Sequence, residues 1–323
     1  MKKTYTFLIL SLYFNFINAQ QNWTTISTET ACTARHECGF VSHQDQLYLI
    51  GGRGIKPIDV FNVVTQNWIA LENTPFEVHH ITPLSVIGSI YIVGGFTGNY
   101  PNETPLTHVF KVNPEANSWE AVLEIPSQRR RGAAGVTVYK DKIYIANGIT
   151  EGHTKGTTFM FDVYDPKQNT WTILPDAPTI RDHSSAAVVD NKLVVLGGRN
   201  TSYHEADNFE AFFGKVNPTV DYFEFSTEKW STYEAELPAP SAGGGCVVLN
   251  DKIVFIGGET ENKAANTQAY VFDSVSETWS QMPSLQVGRH GTNAVVHNNQ
   301  IYMAAGCGNQ GGSPELNSIE VFK

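Results

Sequence analysis

Short apolar runs that end in two glycines set the hydrophobic pattern of this chain, and four of them occupy residues 47–52, 90–95, 193–198 and 253–258. Each run joins β-branched, leucine or aromatic residues without polar interruption. Runs of this length, bounded by glycine, are typical of buried strands. Two further runs end in Asn147-Gly148 and Ala305-Gly306. The pattern therefore predicts six copies of one β unit.

The tryptophans recur with a similar period. The chain contains six tryptophans, spaced 45 to 59 residues apart: Trp23, Trp68, Trp119, Trp171, Trp230 and Trp279. Four of them have an aromatic residue seven positions earlier: Phe61, Tyr164, Phe223 and Phe272. The segment between contains the Asn, Asp and Pro that favour tight turns. A period near 50 residues indicates a repeat architecture.

The succession of diglycine, aromatic residue and tryptophan resembles the kelch repeat, and the resemblance covers the chain after its first twenty residues. It implies an all-β fold, a six-bladed kelch β-propeller of four-stranded antiparallel blades. A charged fraction of only 17% and 27 glycines suit many short strands with tight turns. The predicted blades are residues 35–71, 78–122, 130–174, 181–233, 241–282, and 289–323 with 21–27. The insertion at 200–220 is expected to lie over one face.

The two chain ends predict how the ring closes. Gln21-Asn22-Trp23 repeats Gln66-Asn67-Trp68, which ends the first full unit, and the last residues, 319–323, match a third strand. The N-terminal segment is therefore expected to supply the fourth strand of the sixth blade. Closure of this kind removes an exposed sheet edge.

The first nineteen residues have the pattern of a secretory signal peptide: Lys2 and Lys3, an apolar stretch, and a small residue, Ala19, at the expected cleavage point. We therefore predict two regions, a signal peptide at 1–19 and a single propeller at 20–323. The mature protein is expected to be secreted or periplasmic, without membrane insertion after cleavage. A net charge of −10 argues against nucleic acid as a partner.

Such a compartment permits disulfides between the four cysteines, Cys32, Cys38, Cys246 and Cys307. Closure of the ring would bring the first and last blades together, which favours a Cys32–Cys307 pair. Buried free thiols are the alternative.

Aligning the six units on their diglycines places two columns of residues at one mouth of the central channel. The first column precedes the innermost strand and the second follows the diglycine. All eight arginines lie in or beside these columns, and none of the fourteen lysines does. The planar guanidinium suits carboxylate, sulfate or phosphate. The arginine pattern therefore predicts a binding site for an anionic ligand.

The predicted ligand-binding residues are Arg35, His36, Arg53, His79, His80, Arg131, His153, Arg181, Asp182, His183, Arg199, Arg289 and His290. A structural role is the alternative for Arg35, Arg131, Arg181 and Arg289, which could tie neighbouring blades together. A metal site built from His79, His80, His36 and Glu37 is a further alternative. Spacing between blades cannot be judged from sequence, so no metal and no cofactor is predicted.

The leading functional hypothesis is a binding module for an anionic saccharide or glycan fragment. The chain also resembles the bacterial periplasmic kelch proteins that interconvert sialic acid anomers, and that resemblance implies a mutarotase or epimerase with Glu259 as its acid/base residue. The arginine expected shortly after Glu259 is missing. Similarity to the galactose oxidase group implies a copper site near Tyr203-His204 instead. A protein-interaction propeller is the remaining alternative.

Overall fold

A computed structural model describes residues 21–323, and the predicted signal peptide lies outside the described residues. Six four-stranded antiparallel sheets follow one another along the chain. The first strands of neighbouring sheets contact each other in an unbroken circle, so they are innermost and the sheets are blades of a propeller. The predicted six-bladed fold is confirmed. Within the described range, no helix is long and apolar enough to cross a bilayer.

The strand bounds match the repeat units closely. Blade one consists of Cys38–His43, Gln46–Gly51, Pro57–Asn62 and Asn67–Asn73. Blade two consists of Leu84–Val86, Ser89–Ile92, His108–Asn113 and Ser118–Glu124. Blade three consists of Gly135–Tyr139, Lys142–Ala146, Phe161–Asp165 and Thr170–Leu174.

The second half of the ring repeats this order. Blade four consists of Ser185–Val189, Lys192–Leu196, Asp221–Glu224 and Lys229–Thr232. Blade five consists of Gly245–Leu249, Lys252–Ile256, Ala269–Asp273 and Thr278–Met282. Blade six consists of Ala294–His297, Gln300–Ala304, Ile319–Phe322 and Trp23–Thr25.

Two short hairpins and two short helices lie in the loops at one end of the blades. Two small hairpins pair Phe96–Thr97 with Thr104–Pro105 and Ile149–Glu151 with Lys155–Thr157. Two 3-10 helices span Ser127–Arg129 and Phe209–Gly214.

The sixth blade closes as the chain ends predict. Trp23 pairs with Phe322 and Thr25 with Glu320 in antiparallel register. The Trp23 ring is 1% exposed, and its centroid lies 5.7 Å from that of Phe322. The N-terminal strand thus covers the edge that the last C-terminal strand would otherwise leave open.

The core lies between the blades, and this explains the uninterrupted apolar runs. In blade one, Leu47 and Leu49 pack against blade six, whereas Tyr48 and Ile50 pack against blade two. Alternate side chains of a strand point to opposite faces of its sheet. A strand with a blade on either side must therefore be apolar at every position.

The diglycines join neighbouring blades. The amide of the second residue in each doublet donates to the carbonyl of the first-column residue in the next blade, at 2.8–3.1 Å, all round the ring: Gly52 to Val78, Gly95 to Arg131, Gly148 to Arg181, Gly198 to Ser241, Gly258 to Arg289 and Gly306 to Arg35. These six glycines have φ between 84° and 110°. That region is readily open only to glycine, which explains why the second position never varies.

All four cysteines are free thiols in the structure, so the expected Cys32–Cys307 disulfide is wrong. The Cys32 thiol donates instead to the Asn317 carbonyl at 3.3 Å. Burial raises the pKa of Cys32 and of Cys246 to about 12. The neutral thiols fill apolar space between blades.

Candidate functional site

Four arginines predicted at the channel mouth are part of the blade framework. Each donates to the carbonyl sixteen residues later, which belongs to the first residue of its own blade's doublet: Arg35 to Gly51, Arg131 to Asn147, Arg181 to Gly197 and Arg289 to Ala305. None of the four is more than 1% exposed. In blade five Ser241 makes the same bond, to Gly257 at 2.8 Å.

A carboxylate of the third strand completes each arginine's coordination. The pairs are Arg35–Asp59, Arg131–Asp162, Arg181–Asp221 and Arg289–Glu320. Each acid pairs across the sheet with the second-strand residue that lies two positions before the doublet of the same blade. The two blades without the arginine carry an aromatic there, Phe110 and Tyr270. Arginine and acid therefore occur together or not at all.

The prediction that Arg35, Arg131, Arg181 and Arg289 bind ligand is wrong in this structure. Their guanidinium groups are buried within their own blades, where carbonyls and a carboxylate accept from most of the donors. Only Nε of Arg181 and of Arg289 has no partner among the described residues. The structural alternative is also corrected in one respect, because the contacts lie within a blade rather than between blades.

The remaining predicted residues surround a cavity of about 310 Å³ on the channel axis. Every blade contributes to its wall, and the lining residues are His36, Glu37, Arg53, Tyr100, His153, Arg199, Glu210, Phe213, Glu259, Gly311 and Gly312. Five of these were predicted: His36, Arg53, His153, Arg199 and Glu259. The insertion of blade four supplies Glu210 and Phe213, so it covers this face as expected.

Arg53 is the cation with the most freedom in the cavity. Its Nη2 donates to Glu103 at 2.7 Å, and its side chain remains 22% exposed. Among the described residues, its other guanidinium nitrogens form no hydrogen bond. Glu103 is buried and also accepts from the His153 ring at 3.0 Å. Burial alone would raise the pKa of Glu103, but His153 and Arg53 lower it well below its usual range.

Arg199 and Glu259 form the opposite wall. Arg199 Nη1 donates to Glu259 Oε1 at 2.5 Å, and its guanidinium lies 4.8 Å from the centre of the Phe212 ring. Glu259 Oε2 lies 3.3 Å from His290 Nε2. Burial alone would raise the pKa of Glu259, but His290 and Arg199 lower it. Glu259 is therefore a carboxylate at neutral pH.

A narrow collar forms the floor of the cavity. Each blade contributes one member, the residue two positions after its first-column residue: Glu37, His80, Ala133, His183, Gly243 and Gly291. Their amides and carbonyls form a chain of hydrogen bonds from blade to blade, which ends when Cys38 donates to Gly291 at 3.1 Å. All six have φ between 51° and 65°. We call this set the axial collar, and it leaves a space of only about 50 Å³.

Other predicted residues lie behind the cavity wall and support it. His79 contacts His80 and the Gly98 carbonyl. Asp182 accepts from Thr157, Thr201 and the His183 ring. His204, the copper ligand implied by the galactose oxidase resemblance, is not available for a metal. Both of its ring nitrogens contact backbone carbonyls, those of Phe209 and Thr154.

Four important residues escaped prediction. Glu103 and Tyr100 lie on a long loop of blade two, and Glu210 and Phe213 lie in the blade-four insertion. The loops at this place differ in length and sequence from blade to blade, so an alignment of the units gives no information about their side chains. The pairing of arginine with a third-strand acid, by contrast, is visible in the repeats and could have identified the structural arginines.

The stability of the protein is expected to fall as the pH rises from about 6.5 to 9. Burial alone would lower the pKa of His290, but Glu259, then Cys307 and Glu37, raise it from 6.5 to about 9. Because the folded pKa is the higher one, the stabilisation is complete below the unfolded pKa and is lost as the pH passes the folded pKa. A shift of this size corresponds to about 3 kcal/mol. Urea unfolding monitored by tryptophan fluorescence measures it.

The matched variant for this prediction is His290→Gln, which should lack that part of the pH dependence. An alkaline loss of stability that is equally steep in the variant would show that other groups cause it.

Comparison with known proteins gives distant relatives, several of which are named kelch-like proteins. Kelch-like protein terF of Aspergillus terreus is 26% identical over 285 residues, which cover 81% of this chain and 59% of terF. Alpha-scruin of Limulus polyphemus is 26% identical over 73% of this chain and 26% of its own length. The chain thus spans less than two thirds of these relatives.

A solved structure described as the structure of YjhT shares the fold, with a TM-score of 0.72 and 17% identity over 90% of this chain and 95% of that one. Residues 78–306 match the domain family described as the KLHDC2/KLHL20/DRC7 Kelch-repeats domain. The chain therefore belongs to the kelch-repeat family.

Proposed function

We propose that this kelch propeller binds a small carbohydrate in its axial cavity, in the periplasm or outside the cell as the signal peptide predicted for residues 1–19 implies. The observation that supports this most is the cavity itself, about 310 Å³ in volume and lined from all six blades. Ligand pockets begin at roughly 300 Å³. The volume thus suits a ligand of one or two sugar rings.

The lining has the chemistry that a polyhydroxylated ligand requires. Glu37 and Glu259 offer carboxylate oxygens that accept from hydroxyls, and Arg53 offers free N–H groups that donate to them. Tyr100 and Phe213 offer aromatic surface to the C–H faces of a sugar ring. Charge-assisted hydrogen bonds of this kind are about twice as strong as neutral ones.

The charge of the cavity modifies the original expectation of an anionic ligand. Arg53 and Arg199 are balanced by Glu37, Glu210 and Glu259, so the predicted excess of positive charge is not formed. A sugar carboxylate could be accommodated only against Arg53, where donors remain free. A neutral sugar fits the balance equally well.

Calorimetric titration with neutral and acidic mono- and disaccharides tests the proposal. We expect saturable binding of at least one sugar with one site per chain. Arg53→Ala should weaken binding by roughly 10- to 100-fold, because each charge-assisted hydrogen bond contributes about 1.5–3 kcal/mol. A comparison of glucose with glucuronate shows whether Arg53 receives a carboxylate.

The control variant is Arg130→Ala, since Arg130 lies outside the cavity and pairs with the exposed Glu124. It should bind the sugar as the parent does. Failure of every sugar to bind, or equal loss in both variants, would contradict the proposal and favour the protein-interaction alternative.

A second candidate is catalysis of sugar anomer exchange, which the position of Glu259 favours. Its carboxylate reaches the cavity and is held ionised by His290 and Arg199, so it can accept a proton but not donate one at neutral pH. We expect Glu259→Gln to abolish any acceleration of anomer exchange measured by NMR. Exchange at the uncatalysed rate with the parent protein would exclude this activity for the sugar tested.

A further inference from the structure

Three histidine rings from three consecutive blades meet where the axial collar borders the cavity. His80, His153 and His183 have ring centroids 5.0–5.2 Å apart. One ring nitrogen from each lies within 4.8 Å of the others. All three side chains are buried, at 4–7% exposure. The repeat does not require histidine at the positions of His80 and His183, because Ala133, Gly243 and Gly291 occupy equivalent collar positions.

Each ring is oriented through its Nδ1 atom. His153 Nδ1 contacts Glu103 Oε1 at 3.0 Å, and His183 Nδ1 contacts Asp182 Oδ1 at 2.6 Å. A carboxylate only accepts, so both rings carry their proton on Nδ1 when neutral. Their Nε2 atoms are then bare lone pairs. Hydrogen bonds from ligating histidines to carboxylates are the usual outer shell of metal centres.

The third ring is fixed by a chain of two histidines. The Gly98 carbonyl lies 3.0 Å from His79 Nε2 and can only accept, so neutral His79 carries its proton there. His79 Nδ1 must then accept the bond of 2.6 Å from His80 Nδ1. His80 Nε2 is therefore a third bare lone pair.

Two of these three lone pairs have no hydrogen-bond partner: among the described residues, Nε2 of His80 and Nε2 of His183 are buried without one. Glu37 Oε2 lies 3.3 Å from His80 Nε2, which places two acceptors face to face. A cation between these acceptors would relieve their repulsion.

The backbone gives an independent indication that the collar is a functional site. Glu37, His80 and His183 have φ of 51–54°, in the left-handed region. Glycine occupies this conformation without strain, as it does at Gly243 and Gly291. Non-glycine residues held there tend to mark functional positions. Four collar positions carry a non-glycine residue in this conformation, and in three of them, all but Ala133, the side chain can bind a cation.

We propose that His80, His153 and His183 bind one divalent transition-metal ion, with zinc as the best match, beside the Glu37 carboxylate. Three imidazoles with a fourth open position are a recurrent zinc ligand set. In a tetrahedral site with Zn–N bonds of about 2.0–2.1 Å, the nitrogens lie about 3.3 Å apart, so the nitrogens, now within 4.8 Å of one another, must approach by up to about 1.5 Å. The open position would face the cavity. The proposal does not depend on a carbohydrate as the cavity's ligand.

The test is a calorimetric titration of the chelator-treated, dialysed protein with ZnCl2, followed by metal analysis. We expect one Zn²⁺ per chain and a rise in Tm on binding. Co²⁺ should give the strong visible bands of a tetrahedral site. Absence of stoichiometric binding to the parent protein would overturn the proposal without any variant.

Two variants, His80→Gly and His183→Gly, locate the site while keeping the collar folded. Both positions are left-handed, so glycine removes backbone strain, and the metal-free Tm should hold or rise. Each variant should weaken Zn²⁺ binding by roughly 100-fold or more. His43→Ala, on a hairpin at the opposite end of the first blade, should bind as the parent does. Unchanged affinity in the glycine variants would overturn the assignment.

Discussion

Arg289→Ala is expected to lower the free energy of unfolding by about 3–5 kcal/mol. The Arg289 guanidinium is fully buried and donates to the Ala305 and Ser318 carbonyls at 3.1 Å and to Glu320 at 2.6 Å. Alanine would leave the Glu320 carboxylate buried without its countercharge, although the Gln286 and Val287 amides still donate to it. Urea unfolding of parent and variant measures the difference.

Two controls separate the buried pair from arginine loss in general. Arg130→Ala removes an arginine whose partner, Glu124, is exposed, and should change stability by at most about 1 kcal/mol. The double variant Arg289→Val with Glu320→Phe imitates blade two, which carries Val78 and Phe110 at these positions. It should recover much of the loss, because apolar replacement of a buried ion pair is often neutral. A mild effect of Arg289→Ala would contradict the framework role.

Deletion of residues 21–27 is expected to lower the free energy of unfolding by several kcal/mol. It would remove the fourth strand of blade six and expose the Ile319–Phe322 strand along its whole edge. It would also remove Trp23, whose buried ring packs between blades five and six. Loss of a buried tryptophan side chain alone corresponds to about 3–5 kcal/mol.

Single variants divide this effect. Trp23→Ala should account for most of it, whereas Thr24→Ala, at an exposed position of the same strand, should lie within about 0.5 kcal/mol of the parent. Chemical denaturation measures all three. A deleted protein with unchanged stability would mean that the sixth blade does not need the N-terminal strand.

The fold could be predicted from sequence because the same residue pattern occurs independently in each repeat. The diglycine doublet marks a backbone conformation and a contact between blades, and the apolar run before it marks a strand with a blade on either side. The matching tripeptides around Trp23 and Trp68 were enough to predict how the ring closes. Such local signals do not depend on distant parts of the chain.

The site could be predicted only in part, for a physical reason. Column positions show which residues stand near the channel entrance, but not whether a side chain turns toward the axis or into its blade. Arg53 and Arg181 were therefore both predicted to bind ligand, with a structural role as the alternative for Arg181 alone. In the structure Arg53 lines the cavity, whereas Arg181 is bound to Asp221. Contacts such as that of Glu103 with His153 link loops of different blades, and no periodicity encodes them.

The axial cavity is the centre of this account, and a crystal structure of the protein soaked with its best-binding sugar tests it most directly. We expect the sugar between Arg53 and Glu259, with a ring face on Tyr100 or Phe213. A sugar bound on another surface, or a cavity that stays empty at saturating concentration, would contradict the account.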